Sequence, residues 1–149
     1  MNVRSDKEVS ILLLESMNNF HNLIKSINNE RYKKDKVLTE RQFFALVKIR
    51  KHDKIELKNL SRDLHVSTSS LCILLNKLVE QEYVYREEDS RDRRNTFYGI
   101  TKNGEKILDN EILKFVSIIS DKMDCLDINN KDKLFTSLEE SKNIIEQLF

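Results

Sequence analysis

The chain has 149 residues, of which 39% are hydrophobic and 34% are charged, with a formal net charge of +1. This composition is typical of one charge-rich globular domain and excludes a disordered chain, while the net charge neither supports nor excludes nucleic acid as a partner. No apolar run reaches the roughly 18 residues of a membrane span, and the N-terminus lacks a signal-peptide pattern, so we expect a cytoplasmic protein. Proline is absent and the glycines are Gly99 and Gly104, which predicts a mainly helical chain with one small β element.

The first segment predicts a long amphipathic helix over residues 6–29. Apolar residues recur there at spacings of three and four, and additional leucines and isoleucines widen the apolar face. We therefore expect this helix to contact two surfaces. The charged run at residues 31–36 interrupts the period, and we interpret it as a solvated connection, with contact to phosphate as the alternative.

A second helix is expected to begin after Thr39, which can cap it. Gln42 lies three residues later and can reach back to complete a capping box, while Leu38 and Phe43 can form a hydrophobic staple across the helix start. The sequence therefore predicts a firmly defined helix that runs to about residue 51.

Two helices separated by a tight turn are expected after a short strand at residues 55–56. Leucines at helical spacing mark the third helix, residues 57–64, and Ser67 can cap the fourth. Four leucines mark the inward side of the fourth helix: Leu71, Leu74, Leu75 and Leu78. Its outward side carries Ser69, Ser70, Asn76 and, as its one large apolar residue, Ile73. A solvated helix in this protein would more naturally carry Glu and Lys, so this face indicates close approach to another molecule.

A β-hairpin with a long charged tip is predicted between residues 83 and 98. The tip contains Arg91, Arg93 and Arg94. Asp92 and Arg94 lie two apart, on one side of what we expect to be an extended segment, so the carboxylate can brace the guanidinium.

Two further helices are expected after the hairpin. Thr101 can cap the fifth, which has an apolar stripe from Ile107 to Met123. Asn129 can cap the last helix. The apolar residues that we expect to point inward from it are Leu134, Leu138, Ile145 and Leu148.

The sequence predicts no enzyme, metal or cofactor site. Cys72 and Cys125 form no C-x-x-C pair, so we expect reduced thiols, and an inert Cys72 is favoured over a redox switch because nothing beside it is clearly cationic. The histidines (His21, His52 and His65) have no acidic or cysteine partner at ligand spacing. Neither a Gly-rich phosphate loop nor a nucleophile elbow is present, so no catalytic residue is predicted.

In this order the elements resemble the MarR family of bacterial winged helix-turn-helix transcription regulators. Leu38-Thr39-x-x-Gln42-Phe43 is similar to the opening of the family's second helix. Its helix-turn-helix is similar to Leu60-Ser61-x-x-Leu64-x-Val66-Ser67. Its wing and exit are similar to Asp92-Arg93-Arg94 followed by Thr101-x-x-Gly104. The resemblance covers roughly residues 6–148.

The resemblance implies a mainly α fold with a small β-hairpin wing, in one MarR-like domain over residues 1–149. A winged helix-turn-helix region at 37–104 would lie between dimerisation helices at 1–30 and 105–149 of a homodimer. In the family the fourth helix enters the major groove of double-stranded DNA, and the arginine matching Arg94 reaches the minor groove, which agrees with groove dimensions and potentials. The expected DNA-binding residues are Ser67, Thr68, Ser69, Ser70, Ile73, Asn76, Lys77, Arg91, Arg93 and Arg94, with Asp92 bracing the wing.

Three positions depart from the family pattern. Glu82 stands where glycine is usual, which leaves two alternatives: a non-glycine residue adopts a left-handed helix cap, or the helix ends differently. Thr68 replaces a common proline, and Ile73 replaces a longer polar or basic residue, which leaves a thymine-methyl contact as its means of reading a base.

The family's usual mode implies a repressor of a pseudo-palindromic operator, released by a small-molecule effector. Tyr32 and the wide face of the first helix can line an effector cavity, although core packing explains the same residues. The alternatives are a winged-helix protein-interaction module and a redox-responsive regulator acting through Cys72.

Overall fold

The structure, a computed structural model, describes residues 3–33 and 37–149, and of Tyr32 only the backbone. The helices are α1 (Asp6–Lys33), α2 (Glu40–Arg50), α3 (Leu57–Asp63), α4 (Thr68–Glu80), α5 (Lys102–Lys122) and α6 (Ile128–Ile145). The strands are β1 (Ile55–Glu56), β2 (Val84–Glu88) and β3 (Thr96–Ile100). The predicted mainly helical fold with a small β element is confirmed. None of the described helices is long and apolar enough to cross a membrane.

The chain forms two compact units, one that ends at Phe115 and one that runs Val116–Phe149. The boundary lies within α5, so that helix begins in the first unit and ends in the second. This division is by compactness, whereas the expected division into dimerisation helices and a winged region is by role. The boundaries of that expected division stay a prediction.

The end of α1 corrects the interpretation of the charged run that follows it. Arg31 lies within the helix and is only 4% exposed, so for this residue the expected solvated connection is wrong. Its guanidinium is buried because the carboxylate of Glu111, on α5, neutralises it at 2.5 Å. Residues 34–36 lie outside the described residues.

The start of α2 has the predicted capping box. The Gln42 backbone N–H donates to Thr39 Oγ1 at 3.1 Å, and the Thr39 backbone N–H donates to Gln42 Oε1 at 3.0 Å. Leu38 is fully buried and Phe43 packs against the same apolar core. The local sequence therefore fixes where α2 begins.

The three strands form an antiparallel sheet in the order β1-β3-β2. Ile55 of β1 pairs with Tyr98, and Tyr85 of β2 pairs with Gly99. The core of the first unit joins this sheet to α2, α3, α4 and the start of α5 through Leu46, Ile49, Leu60, Leu75, Tyr98 and Leu108.

Two helices end at non-glycine residues with left-handed backbone. Glu82, beyond α4, has φ 62°, and His65, beyond α3, has φ 53°. In each case the chain forms a Schellman motif: Tyr83 N–H donates to Leu78 O at 2.9 Å, and Val66 N–H donates to Ser61 O at 3.1 Å. Of the two alternatives left open for Glu82, the left-handed cap is the one that forms, whereas His65 was not anticipated.

The starts of the last two helices gave one correct and one wrong prediction. Thr101 Oγ1 accepts from the Gly104 backbone N–H at 3.0 Å, as expected for the cap of α5. The cap of α6 is Asp127 rather than Asn129, because its carboxylate stands directly before the helix and accepts from the Asn130 backbone N–H at 2.7 Å. The apolar residues that were expected to point inward here are exposed in the single chain: Leu134, Leu138 and Ile145 of α6, and Leu148 just beyond it.

Candidate nucleic-acid interface

The fourth helix, α4, buries one face in the core and exposes the other to solvent. Leu71, Leu75 and Leu78 are buried, and Leu74 is half-buried beside them. The predicted DNA-binding residues of α4 and its cap are all exposed: Ser67, Thr68, Ser69, Ser70, Ile73, Asn76 and Lys77. The helix can therefore enter a groove without disturbing the core.

The first turn of α4 is rigid. Ser67 caps the helix by accepting from the Ser70 backbone N–H at 3.2 Å, and its hydroxyl donates to Ser70 Oγ at 3.0 Å. Before it, the buried Ser61 donates from Oγ to Val66 O at 2.6 Å and so closes the turn between α3 and α4. A larger residue in place of Ser61 would separate these helices.

Ile73 is 64% exposed on the otherwise polar face of α4. It also lines a cavity of about 650 Å³ between α2, the end of α3 and α4, together with Phe44, Val66 and Lys77. Among the side chains that the structure describes, none from α1 lines this cavity, so the effector cavity expected beside α1 and Tyr32 stays a prediction.

At the wing tip, Asp92 holds Arg94 by three hydrogen bonds. Arg94 Nε donates to Asp92 Oδ1 and Nη2 to Oδ2, each at 3.1 Å, while the Arg94 backbone N–H donates to Oδ1 at 3.0 Å. The Arg94 side chain bonds, and then its backbone bond, lower the pKa of the Asp92 carboxyl. The Arg94 side chain nevertheless remains 90% exposed.

The expected extended backbone at this point is wrong. Asn95 N–H donates to Asp92 O at 2.9 Å, which closes a turn over Arg93 and Arg94. An aspartate at the first position of a turn bonds to the backbone two residues on, and this places its carboxylate beside Arg94.

Arg91 and Arg93 are exposed at the same tip. Asp89 Oδ1 accepts from the Arg91 backbone N–H at 2.9 Å, which orders the chain there. Within the described ranges, 3–33 and 37–149, no carboxylate pairs with the guanidinium of either residue. The tip thus presents positive charge outward.

The base of the wing packs against the loop before β1. The Tyr85 ring lies directly over Gly99, where an added Cβ would come within 2.2 Å of Tyr85 Cζ. Its hydroxyl donates to Asp53 O at 3.4 Å. Lys54 Nζ bonds to Glu87 Oε1 at 3.2 Å and lies 5.3 Å from the centre of the Phe97 ring. These contacts fix the direction in which the hairpin leaves the body of the unit.

The Thr101-x-x-Gly104 motif brings the end of α4 against the start of α5. Thr101 Oγ1 donates to Glu82 O at 2.6 Å, and Thr101 N–H donates to Tyr83 O at 3.0 Å. A Cβ on Gly104 would lie 2.0 Å from Tyr83 O, so only glycine fits there. The motif therefore requires glycine at position 104 because the backbone of Tyr83 approaches it closely.

The contacts of the buried Arg31 side chain were not predicted from the sequence. Besides Glu111, the Arg31 guanidinium donates to Asn28 Oδ1 at 3.0 Å and to Leu38 O at 3.3 Å, and it lies 4.0 Å from the centre of the Phe115 ring. A signal was present, because Glu111 interrupts the apolar stripe of α5 between Leu108 and Phe115.

The cysteines and histidines form no site in the described part of the chain. Cys72 is half-buried and Cys125 is exposed, with its thiol donating to Lys122 O at 3.2 Å. No group of three or more His, Cys, Asp or Glu among the described residues is arranged to hold a metal ion.

Comparison with known proteins agrees with this geometry. The model of the MarR family matches residues 38–96, from the start of α2 to the start of β3. The HTH-type transcriptional regulator SarZ of Staphylococcus aureus is 32% identical over 85 residues, which cover 57% of this chain and 56% of that protein. The chain thus spans about half the length of the curated relatives it matches.

Solved structures extend the likeness in fold to almost the whole chain. FabT of Streptococcus pneumoniae, solved in complex with DNA, has a TM-score of 0.63 and 19% identity over 97% of this chain and 100% of that one. Wild-type MarR of E. coli, in its apo form, has a TM-score of 0.69 and 18% identity over 95% and 98%. Through residues 38–96, its winged helix-turn-helix region, the chain is similar to the MarR family.

Proposed function

We propose that this protein is a DNA-binding transcriptional regulator and not an enzyme. The observation that carries the proposal is the Arg94 guanidinium, which Asp92 orients while leaving it 90% exposed, on a wing beside the free face of α4. The regulator name of the SarZ relative and the DNA complex of FabT support the same function.

The exposed face of α4 suits the major groove of a duplex. Serine and asparagine side chains can bond to base edges or phosphates, Lys77 can contact phosphate, and Ile73 can contact a thymine methyl group. Arg94 is the candidate for the minor groove, with Arg91 and Arg93 near the phosphates.

The acting form in this proposal is a homodimer. In the first unit, α1 exposes a row of large apolar side chains, including Leu14 at 65% and Met17 at 58%. In the second unit, α6 exposes Phe135 and Leu138. Exposed apolar surface of this extent marks an interaction face, and two-fold pairing is the commonest arrangement of identical chains. The dimer would bind a pseudo-palindromic operator whose half-sites lie roughly 10 bp apart. It would act in the cytoplasm as a repressor, and a small-molecule effector would release it from the DNA.

Selection of duplexes from a random-sequence library by the full chain tests the function. We expect enrichment of a two-fold symmetric site, together with sedimentation of the free protein as a dimer. If no sequence is enriched over a competitor duplex, the protein is not a sequence-specific regulator, and the protein-interaction alternative replaces it. An enriched site without symmetry, bound by a monomer, would contradict the dimer alone.

A further inference from the structure

Arg31 is the centre of a buried network that links α1, α2 and α5. Its guanidinium serves three acceptors at once: Glu111 on α5, Leu38 O before α2 and Asn28 on α1. Asn28 Nδ2 in turn donates to Glu40 Oε2, on the first residue of α2, at 2.9 Å. Arg31 therefore reaches the N-terminal end of α2 by two routes.

The same end of α2 is joined to α4. Gln42, whose side-chain oxygen completes the capping box, donates from Nε2 to Gln81 Oε1 at 3.4 Å. Gln81 is the C-cap of α4, next to the left-handed Glu82. A continuous path of contacts thus runs from Glu111 through Arg31 and the start of α2 to the end of α4.

Arginine suits the centre of such a network better than other residues. Its planar fork offers donors in fixed directions, whereas an ammonium group would hold the same acceptors without fixed geometry. The Phe115 ring, 4.0 Å away, fixes the plane of the fork, and Phe115 itself packs on Phe43 of α2 at 4.6 Å between ring centres.

A buried ion pair contributes little net stability, because the cost of desolvating both charges offsets their attraction. Apolar side chains of similar volume often stabilise a protein as well or better. The Arg31–Glu111 pair, with side chains 5% and 1% exposed, falls in this class. What the pair does provide, together with the bond from Arg31 to Leu38 O, is a fixed geometry between α1, α5 and the start of α2.

We propose that Arg31 is a positioning residue for DNA binding, which acts through Gln42 and Gln81 to set the placement of α4 relative to α1 and α5. The proposal rests on the proposed function. It assigns to Arg31, the first residue of the charged run, a role in specificity without any contact to DNA.

The test uses the full chain and the duplex that the wild-type protein selects, with a second duplex whose half-sites are moved apart by one base pair. The main variant is Arg31→Met with Glu111→Leu, which removes both charges and keeps apolar volume. We expect an unchanged unfolding midpoint, a loss of affinity for the selected duplex of roughly 2- to 30-fold, and a weaker preference for the correct spacing. The salt dependence of binding should be unchanged, because no phosphate contact is lost.

Gln81→Ala gives a second test at the exposed end of the path, where misfolding of the core is not a concern. It should weaken binding in the same way, and its effect should not add to that of the double variant if both act through one path. His52→Ala, which removes an exposed side chain from the loop after α2, is the control and should bind as wild type does.

A lower unfolding midpoint with unchanged affinity and spacing preference of the folded fraction would show a merely structural role and overturn the proposal. A reduced salt slope would also overturn it, in favour of direct phosphate contact by Arg31. Failure of the wild-type protein to select any duplex would instead overturn the proposed function, and this inference with it.

Discussion

Asp92 and Arg94 form a closed pair at the tip of the wing, in which both carboxylate oxygens accept from the guanidinium at 3.1 Å. The pair constrains a side chain that is otherwise surrounded by solvent. An arginine held in this way would lose less conformational entropy on entering a groove than a free one does, so in the proposed DNA complex the pair would lower the cost of binding by the wing.

Replacement of Arg94 should therefore weaken duplex binding and change its dependence on salt. For Arg94→Ala we expect the slope of log K against log salt to decrease by about 1, because one cationic side chain that displaces counterions from the duplex is lost. Fluorescence anisotropy at several salt concentrations measures this slope. Arg4→Ala, which removes another exposed arginine, is the matched control. An unchanged affinity and slope for Arg94→Ala would refute the role of the wing.

The same pair should be visible in the titration of Asp92. Because the pKa of this carboxyl is lowered from its ordinary value of 3.8, the bonds to Arg94 are fully present above that value and are lost as the pH falls through the lower folded-state pKa. NMR detection of the carboxyl carbon should give a midpoint below 3.8 in the wild type and a return toward it in Arg94→Ala. Equal midpoints in the two proteins would contradict the bonded geometry.

The two glycines should differ in their tolerance of a methyl group. Gly99→Ala should cost about 1–3 kcal/mol of unfolding free energy, since its Cβ meets the Tyr85 ring, a side chain that can move outward. Gly104→Ala should cost more, because its Cβ meets the backbone oxygen of Tyr83. Urea denaturation measures both.

Tyr85→Ser provides the control for this comparison. It should relieve most of the cost of Gly99→Ala and none of the cost of Gly104→Ala, because only the first clash involves the Tyr85 ring. Equal relief of both would show that the two costs do not come from these contacts.

Glu82 offers a change that should raise stability. At φ 62° an L-residue carries strain of roughly 1–2 kcal/mol, which glycine lacks, while glycine adds about 0.5–1 kcal/mol of entropy loss on folding. Glu82→Gly should therefore increase the unfolding free energy by about 0.5–1 kcal/mol. Glu80→Gly, two residues earlier within α4, should have the opposite sign and cost about 1 kcal/mol. Destabilisation by both would contradict the Schellman geometry.

Features determined by neighbouring residues were predictable from the sequence. The capping box of Thr39 and Gln42 follows from interactions within a few positions along the chain. The left-handed Glu82 was one of two alternatives, and it came from the glycine that the family usually has there. The Asp92–Arg94 bond was anticipated for the wrong backbone, because residues two apart meet in a turn as readily as on a strand. At α6, Asp127 and Asn129 are both good caps, and their sequence alone does not rank them.

Features that depend on distant residues were missed. The partner of Arg31 is 80 residues away in the sequence. Arg31 was expected to be solvated because runs of charged residues usually are. The cavity beside Ile73 likewise depends on how α2 lies against α4, which periodicity along either helix does not reveal.

The burial pattern of α1 has a further consequence for folding. Of its 28 residues, Ile27 and Arg31, both near its end, are the buried ones in the described part of the helix. A helix gains most of its stability from packing, so in the proposed homodimer the exposed earlier turns would be stabilised by the partner chain. We then expect amide hydrogens in those turns to exchange rapidly in dilute protein and slowly in concentrated protein, and folding of α1 to be coupled to assembly.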